Sequence, residues 1–443
     1  VQYIHSVHLD EDQCQACTIC TKRCPTEAIR VYQGKARILE ERCIDCGECM
    51  RTCPQEAKTS QTDPLEAVFA YPYAVALIAP SLYSQIPPAQ FNIEGLVDGF
   101  SAVGFRAVAD VSHGAEHVGE AYKQWISASE TRPLISSACP AVVRLIQVKF
   151  DELTEHVMPI ESPMEVTAEL ARRQLQDQGV KPEDIGIFFV SPCPAKVTAV
   201  KQPLGRSYSH VDGVLSFSDV YQELYPRLNE AGNPKGQRLF PMGRPGVRWG
   251  ITAAQTYESE GIRMSLEGLD QVTAVLEDLS LGKLPDVDFI EANACPGGCI
   301  GGCLTVQSRF QAQVNLYRNL KHLPAKPQLD MDHFQRLYDQ QFYMMHHALQ
   351  PRPSQPLDPD ISRAMQLMKR QEQILQTLPG LDCGACGSPN CQSLAEDIVR
   401  GWTTENDCIF ILRESVQNLA KELWDLAQQV PPTIGRQKPS TEE

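Results

Sequence analysis

Short apolar runs alternate with stretches of helical spacing through the middle of this chain. Val75-Ala-Leu-Ile78 is followed by a helical pattern over 93–103, and Arg106-Ala-Val-Ala-Asp110 by another over 115–129. Ile185-Gly-Ile-Phe-Phe-Val190 has the unbroken apolar character of a strand buried on both faces, and it runs straight into Ser191-Pro-Cys193. Val287-Asp-Phe-Ile290 leads in the same way into the stretch from Glu291 to Cys303. Strands alternating with helices predict an α/β domain built on parallel sheet units. In such sheets ligands collect beyond the carboxyl ends of the strands, which is where the cysteines at 139, 193, 295 and 299 fall. Further on, residues 351–360 hold four prolines in ten and read as a linker before a helical pattern over 361–378. Near the end, Leu412, Val416, Leu419, Leu423, Leu426 and Val430 repeat at spacings of 4, 3, 4, 3 and 4, a coiled-coil seam. The plain expectation is a helix docked on its own protein. The sharper one is a homodimer, or docking to a partner subunit.

Charge and composition narrow the function. The net charge of −15 argues against nucleic acid as a partner, since that calls for basic patches. No apolar run approaches the ~20 residues of a membrane helix, and no charged start precedes an apolar core, so no signal peptide is visible. A chain of 443 residues has room for two or three domains.

The seventeen cysteines decide more. Their close spacings suit metal better than disulfides, and a reducing cytoplasm is expected. Residues 1–62 carry Cys14-x2-Cys17-x2-Cys20-x3-Cys24-Pro25 and then Cys43-x2-Cys46-x2-Cys49-x3-Cys53-Pro54. This is the run of the two-cluster bacterial ferredoxins, in which the fourth cysteine ligates the other cluster. Cys14, Cys17, Cys20 and Cys53 are therefore expected to hold one [4Fe-4S] cube, and Cys43, Cys46, Cys49 and Cys24 the second. Zinc competes for any single CxxC pair, but the doubled pattern speaks against it. A further set, Cys383, Cys386, Cys391 and Cys408, resembles a small single-cube domain, and a [4Fe-4S] cluster is preferred to zinc there as well. The central stretch Glu291-Ala-Asn-Ala-Cys-Pro-Gly-Gly-Cys-Ile-Gly-Gly-Cys303 packs three cysteines and four glycines into thirteen residues. Glycine there lets the backbone approach an inorganic cofactor. Two cysteines cannot hold a four-iron cube, so partners are sought in Ser136-Ser-Ala-Cys-Pro140 and Ser191-Pro-Cys-Pro-Ala-Lys196.

These three segments resemble the signature segments of the FeFe hydrogenases, over about residues 70 to 310. The resemblance implies a two-lobed α/β domain over 63–350 with the cofactor between the lobes. It is flanked by the ferredoxin-like domain (1–62) and, past the linker, by the C-terminal [4Fe-4S] domain (361–412), an amphipathic helix (413–430) and a tail (431–443). It assigns Cys139, Cys193, Cys295 and Cys299 to a cube, with Cys299 bridging to a two-iron unit that carries CO, CN and a dithiolate. Lys196 matches the lysine that hydrogen-bonds a cyanide of that unit. Ala79-Pro80-Ser81 matches another lining segment, and Ser191, Pro192 and Asn293 fall at lining positions of the signatures.

The sequence also departs from the efficient members. Ala138 stands where a cysteine relays protons, and Ala199 where a glutamate continues the relay; a methyl group cannot carry a proton. Ser191 and Asn293 replace methionines that flank the cofactor, and both can hydrogen-bond. Cys303 is left over. Its plain reading is a small buried residue, and its functional reading a substitute proton donor. Ser-Ser-Ala-Cys-Pro with Ser-Pro-Cys-Pro-Ala-Lys looks like the sensory branches of the family, which also tend to carry the extra C-terminal cube. No PAS or kinase module follows in this sequence, so a signal is expected to pass by electrons or by contact with a separate protein. The resemblance thus implies H2 and protons as substrates, slow reversible H2 cleavage with the dithiolate amine as first base, and electron flow through the cubes. It also implies a redox partner such as a ferredoxin or another Fe–S or flavin subunit. Two alternatives stand beside it: a hydrogenase subunit of a larger, electron-bifurcating complex, and an electron-transfer or scaffold protein without the two-iron unit.

Overall fold

The computed structural model describes residues 4–255, 261–352 and 355–429. Twelve strands are formed among these residues. The first six are β1 (Val7–Leu9), β2 (Ile29–Tyr32), β3 (Lys35–Ile38), β4 (Lys58–Ser60), β5 (Tyr73–Ile78) and β6 (Ala107–Asp110). The others are β7 (Leu134–Ile135), β8 (Ile185–Ser191), β9 (Gly213–Ser216), β10 (Gln237–Arg238), β11 (Arg263–Glu267) and β12 (Phe289–Asn293).

The chain divides into two compact units. One takes the residues up to Cys14 and those from Leu39 to the linker; the other takes Gln15–Ile38 and the residues from Gln355 on. This division cuts across the boundary expected at residue 62, because the hairpin β2–β3 belongs with the C-terminal segment rather than with β1 and β4.

Within the first unit, five parallel strands lie in the order β10-β6-β5-β8-β9. Chain order reverses on either side of β5, so the crevice beside its carboxyl end is a topological switch point, the usual ligand site of such sheets. All seven residues of β8 are buried. Phe188 and Phe189, at 2% and 1% exposure, each stabilise this core by roughly 1.5–3 kcal/mol. A second, three-stranded parallel sheet has the order β11-β12-β7 and its own core, which includes Ile135, Val142, Ile146 and Ile290.

The helices that bear on the site are α1 (Ile93–Val103), α2 (Val111–Ala128), α3 (Pro140–Lys149), α4 (Pro163–Asp177), α5 (Pro194–Lys201) and α6 (Arg244–Arg248). α1 forms where the spacing predicts it, with Asn92 capping its first turn. α2 starts four residues before the expected Ala115, because the Asp110 carboxylate accepts from the Ser112 N–H at 2.8 Å and caps the helix directly off β6. The strand leading to the third signature continues to Asn293, so Glu291 and Asn293 are strand residues rather than loop residues.

The second unit comprises the hairpin β2–β3 together with α7 (Ile361–Thr377), α8 (Cys391–Val399) and α9 (Ile409–Ala427). Val31 N–H donates to Gly387 at 2.9 Å. Arg30, fully buried, pairs with the equally buried Asp397 at 2.6 Å. Ile374, Leu378, Leu394 and Ala395 make a small core with Cys408. α9 buries none of its residues wholly; Ile411 packs against this small core, while Leu412, Val416, Leu419, Leu423 and Leu426 stay exposed, and Val430 lies outside the described residues.

Candidate metal centre

Every segment of the centre leaves the carboxyl end of a parallel strand. β5 runs into Ala79-Pro80, β7 into Ser136–Cys139, β8 into Pro192-Cys193, and β12 into Cys295 and Cys299. Cys139 and Cys193 each occupy the N-cap position of a helix, α3 and α5, with Pro140 and Pro194 at the first helical turn. Proline suits that position because its missing N–H needs no partner there. A helix start also favours the negative charge that a thiolate-bound cluster carries.

Cys139, Cys193, Cys295 and Cys299 line one cavity together with Lys196. Burial, reinforced by the neighbouring thiols, pushes Cys193, Cys295 and Cys299 up to about 12, while the Lys196 ammonium eases Cys193 and Cys299 downward. Four soft donors converging in a mostly apolar site fit an iron–sulfur cube, which stabilises them as thiolates. The backbone fits as well. Gly297 and Gly298 take φ of +82° and +81°, and a Cβ on Gly298 would come within 2.8 Å of the Thr252 nitrogen.

The remaining expected residues fall in distinct places. Ala79, Pro80, Ala138, Pro192 and Asn293 line the same cavity. Ser81 is buried, and its hydroxyl has no partner among the described residues. The Ser191 hydroxyl is committed to a local turn, donating to the Cys193 carbonyl at 2.8 Å and accepting from the Cys193 N–H at 3.3 Å. Asn293 donates to Glu291 at 3.2 Å. Ala199 faces a separate small void shared with Ser137, Glu161 and Lys196. Cys303 does not line the main cavity; its thiol packs against Gly47 in the second cysteine run.

Three side chains at this centre have no motif to announce them. Arg51 donates to the Gly301 carbonyl at 2.9 Å and hydrogen-bonds Cys295. Asp45 accepts from the Ser6 and Val7 N–H groups at 2.9 and 3.1 Å, and from the Thr198 hydroxyl of α5 at 2.7 Å. Both tie the second cysteine run to the centre across large sequence separations. Glu291 is wholly buried; burial pushes its carboxyl up to about 7, against the hydrogen bonds from the Gln255 N–H and Asn293. A carboxylate inside an apolar strand was the one visible signal for it.

Elsewhere, Cys383, Cys386, Cys391 and Cys408 line one small cavity of the second unit. Cys408 caps α9, and Cys391 opens α8. Of the N-terminal cysteines, Cys17, Cys20 and Cys24 belong to the second unit and Cys14, Cys43, Cys46, Cys49 and Cys53 to the first.

Comparison with known proteins agrees with this geometry. Residues 73–227 and 250–303 match the family model of the iron-only hydrogenase large subunit, C-terminal domain. Residues 6–54 match a 4Fe-4S dicluster domain and residues 378–410 a putative Fe-S cluster domain. The periplasmic [Fe] hydrogenase large subunit of Nitratidesulfovibrio vulgaris is 25% identical over 363 residues, 68% of this chain and 86% of that protein. Two structures of the [FeFe]-hydrogenase HydA1 from Chlamydomonas reinhardtii superpose with TM-scores of 0.50 and 0.51 at 16% identity. They cover 67% and 66% of this chain and 97% of each of those chains, and at that identity they bear on the fold alone. No helix among the described residues is long and apolar enough to cross a membrane. The central domain of this chain thus matches the iron-only (FeFe) hydrogenase family model and shares the fold of those enzymes, with matches to iron–sulfur domains before and after it in sequence.

Proposed function

We propose that this protein binds H2 and cleaves it slowly and reversibly, and that it works as a sensor of H2 or of redox state in a reducing cytoplasm. The observation that carries this reading is the convergence of Cys139, Cys193, Cys295 and Cys299 on one buried cavity beside Lys196. These four would hold a cube, with Cys299 also bridging to the two-iron unit. When bound, that unit supplies the centre at which H2 is cleaved and, in its bridging amine, the first base.

The chain's own groups do the rest. Lys196 holds its ammonium beside Cys193 and Cys299 and would donate to a cyanide. Ala79, Pro80 and Pro192 present apolar walls that keep bulk water out. Arg51, bonded to Cys295 and to the third signature, would hold the second ferredoxin-type run against the cube and support one-electron transfer between them. Matching of residues 6–54 to a dicluster domain supports the crossed ligation, Cys14, Cys17, Cys20 and Cys53 against Cys43, Cys46, Cys49 and Cys24. The C-terminal four cysteines would hold a further cube. Slow turnover follows from Ala138 and Ala199, since neither methyl group can pass a proton from the cavity.

Infrared spectroscopy on protein matured with the two-iron unit tests the reading. Sharp bands of metal-bound CO and CN that shift under H2 are expected. Absence of bands, with the cubes intact and a control hydrogenase maturing normally, would replace it with an electron-transfer or scaffold protein.

A further inference from the structure

One wide groove in the first unit has no part in the chemistry above. It has a volume of about 600 Å³ and lies beside the cofactor cavity, within the range of sites that take a small organic ligand. Six cationic side chains line it: Lys123, Arg244, Arg248, Arg263, Lys321 and Lys326. Among the described residues the carboxylates on its lining are two, Glu116 and Glu120. Glu116 is already engaged by three backbone N–H groups, of Gly243 at 2.8 Å, Gly246 at 3.4 Å and Gln328 at 2.7 Å. Glu120 is paired with Lys123 at 3.2 Å. The groove is therefore positive on a chain whose net charge is −15, and clustered charge of one sign in a cleft concentrates ligands of the opposite sign.

Aromatic faces lie among the cations. Tyr122 and Trp249 stand with ring centroids 5.7 Å apart, and the half-exposed Tyr317 joins them on the wall. Arg244 is held in place by donating to the Leu323 and Lys321 carbonyls at 3.0 and 3.3 Å, which fixes one cation before any ligand arrives. Phosphate oxygens suit the guanidinium and ammonium groups, and planar aromatic bases suit the ring faces. We propose that this groove binds a nucleotide, a phosphate-bearing anion with an aromatic base.

The groove also touches the cofactor site. Trp249, Gln255 and Ala115 line both spaces. Gln255 donates its N–H to Glu291 at 2.9 Å, and the Tyr122 hydroxyl bonds Ser136 and Ser137, just ahead of Cys139. A nucleotide seated on Trp249, which packs on the buried Tyr122, therefore presses on the residues that shape the metal centre. Binding itself needs only the groove, whereas an effect on H2 chemistry rests on the proposed function.

Calorimetry on the full chain with ADP, and with inorganic phosphate for comparison, tests the site. ADP is expected to bind one to one, and phosphate about tenfold more weakly or worse, since it lacks the stacking base. The double variant Lys321→Glu/Lys326→Glu changes two exposed side chains and is expected to fold normally while losing about tenfold or more in ADP affinity. No binding at about millimolar ADP, or undiminished binding by the variant, overturns the site. Phosphate matching ADP overturns the nucleotide class. In matured protein, ADP is expected to shift the CO and CN bands; binding without a shift overturns the coupling. Complete absence of those bands would count against the proposed function instead, and calorimetry would still decide the groove.

Discussion

Ala138 lines the cofactor cavity and is partly exposed to it. A thiol there would stand beside the reacting centre, and a positioned acid–base group contributes roughly 10²–10⁴-fold to such proton transfers. Ala138→Cys is therefore expected to raise H2 turnover at least about tenfold, measured as dye reduction under H2, with the CO and CN bands unchanged. No gain would remove relay loss as the limiting step. A different single-residue effect concerns His113 and His117. Burial first, then the neighbouring imidazoles of His113 and His333, holds His117 down to about 3; burial holds His113 down to about 4, against the pull of the Pro241 carbonyl as a hydrogen-bond acceptor. Their Nε2 atoms lie 3.3 Å apart, and His117 Nδ1 is 2.6 Å from the Tyr343 hydroxyl. Depressed histidines leave the folded chain with fewer bound protons than the unfolded one. Their contribution is thus whole above pH 6.5 and is lost as pH falls toward the folded values, at roughly 1 kcal/mol per pH unit per histidine. In urea titrations the stability gap between the parent and His117→Gln is expected to narrow by about that amount per unit below pH 6.5. Parallel curves would sink the assignment.

The hairpin β2–β3 is where element-level reasoning is most exposed to test. Arg30 reaches Asp397 across 367 residues of sequence, with both side chains fully buried. Breaking such a pair leaves a charge stranded and costs about 3–5 kcal/mol, whereas replacing both partners with apolar groups is often neutral. Arg30→Leu is expected to destabilise the second unit by that amount, and Arg30→Leu/Asp397→Leu to recover most of it, read by denaturant unfolding. Equal loss in both variants would mean that the pair does not hold the hairpin to α8. Nothing in the sequence pointed to this contact. The strands β5, β6 and β8 were legible because unbroken apolar runs such as Ile185–Val190 have no other stable use. Positions of Cys139, Cys193, Cys295 and Cys299 at strand ends followed from the same patterns. Arg51, Asp45 and Glu291 were not legible, since a lone charged residue in a sequence carries no sign of which distant backbone it will meet. The separation of β2–β3 from β1 and β4 was hidden for the same reason, because the cysteine pattern describes a cluster and not the packing around it.

At the scale of the whole molecule, the helix α9 leaves its apolar side uncovered. Ile409, Leu412, Val416, Leu419, Leu423 and Leu426 are each between 46% and 66% exposed, although they form one stripe along the helix. Heptad spacing places Ile409, Val416 and Leu423 at a, and Leu412, Leu419 and Leu426 at d. β-Branched residues at a with leucine at d favour two parallel strands. Ala420 and Ala427 flank the stripe with small side chains that let a second helix come close. The occupant this pattern fits is therefore α9 of a second copy of the chain. Burying each stripe residue contributes roughly 1 kcal/mol beyond its present half-exposure. A seam of under three heptads gives a weak pairing that depends on concentration. Sedimentation equilibrium is expected to show a monomer–dimer equilibrium for the parent. Leu419→Glu/Leu423→Glu places two charges in the seam and is expected to keep the protein monomeric across the same range, with its iron content unchanged. A parent that stays monomeric at high concentration would exclude the second copy and leave the stripe to a partner subunit, the route by which an H2 signal would then leave the protein by contact.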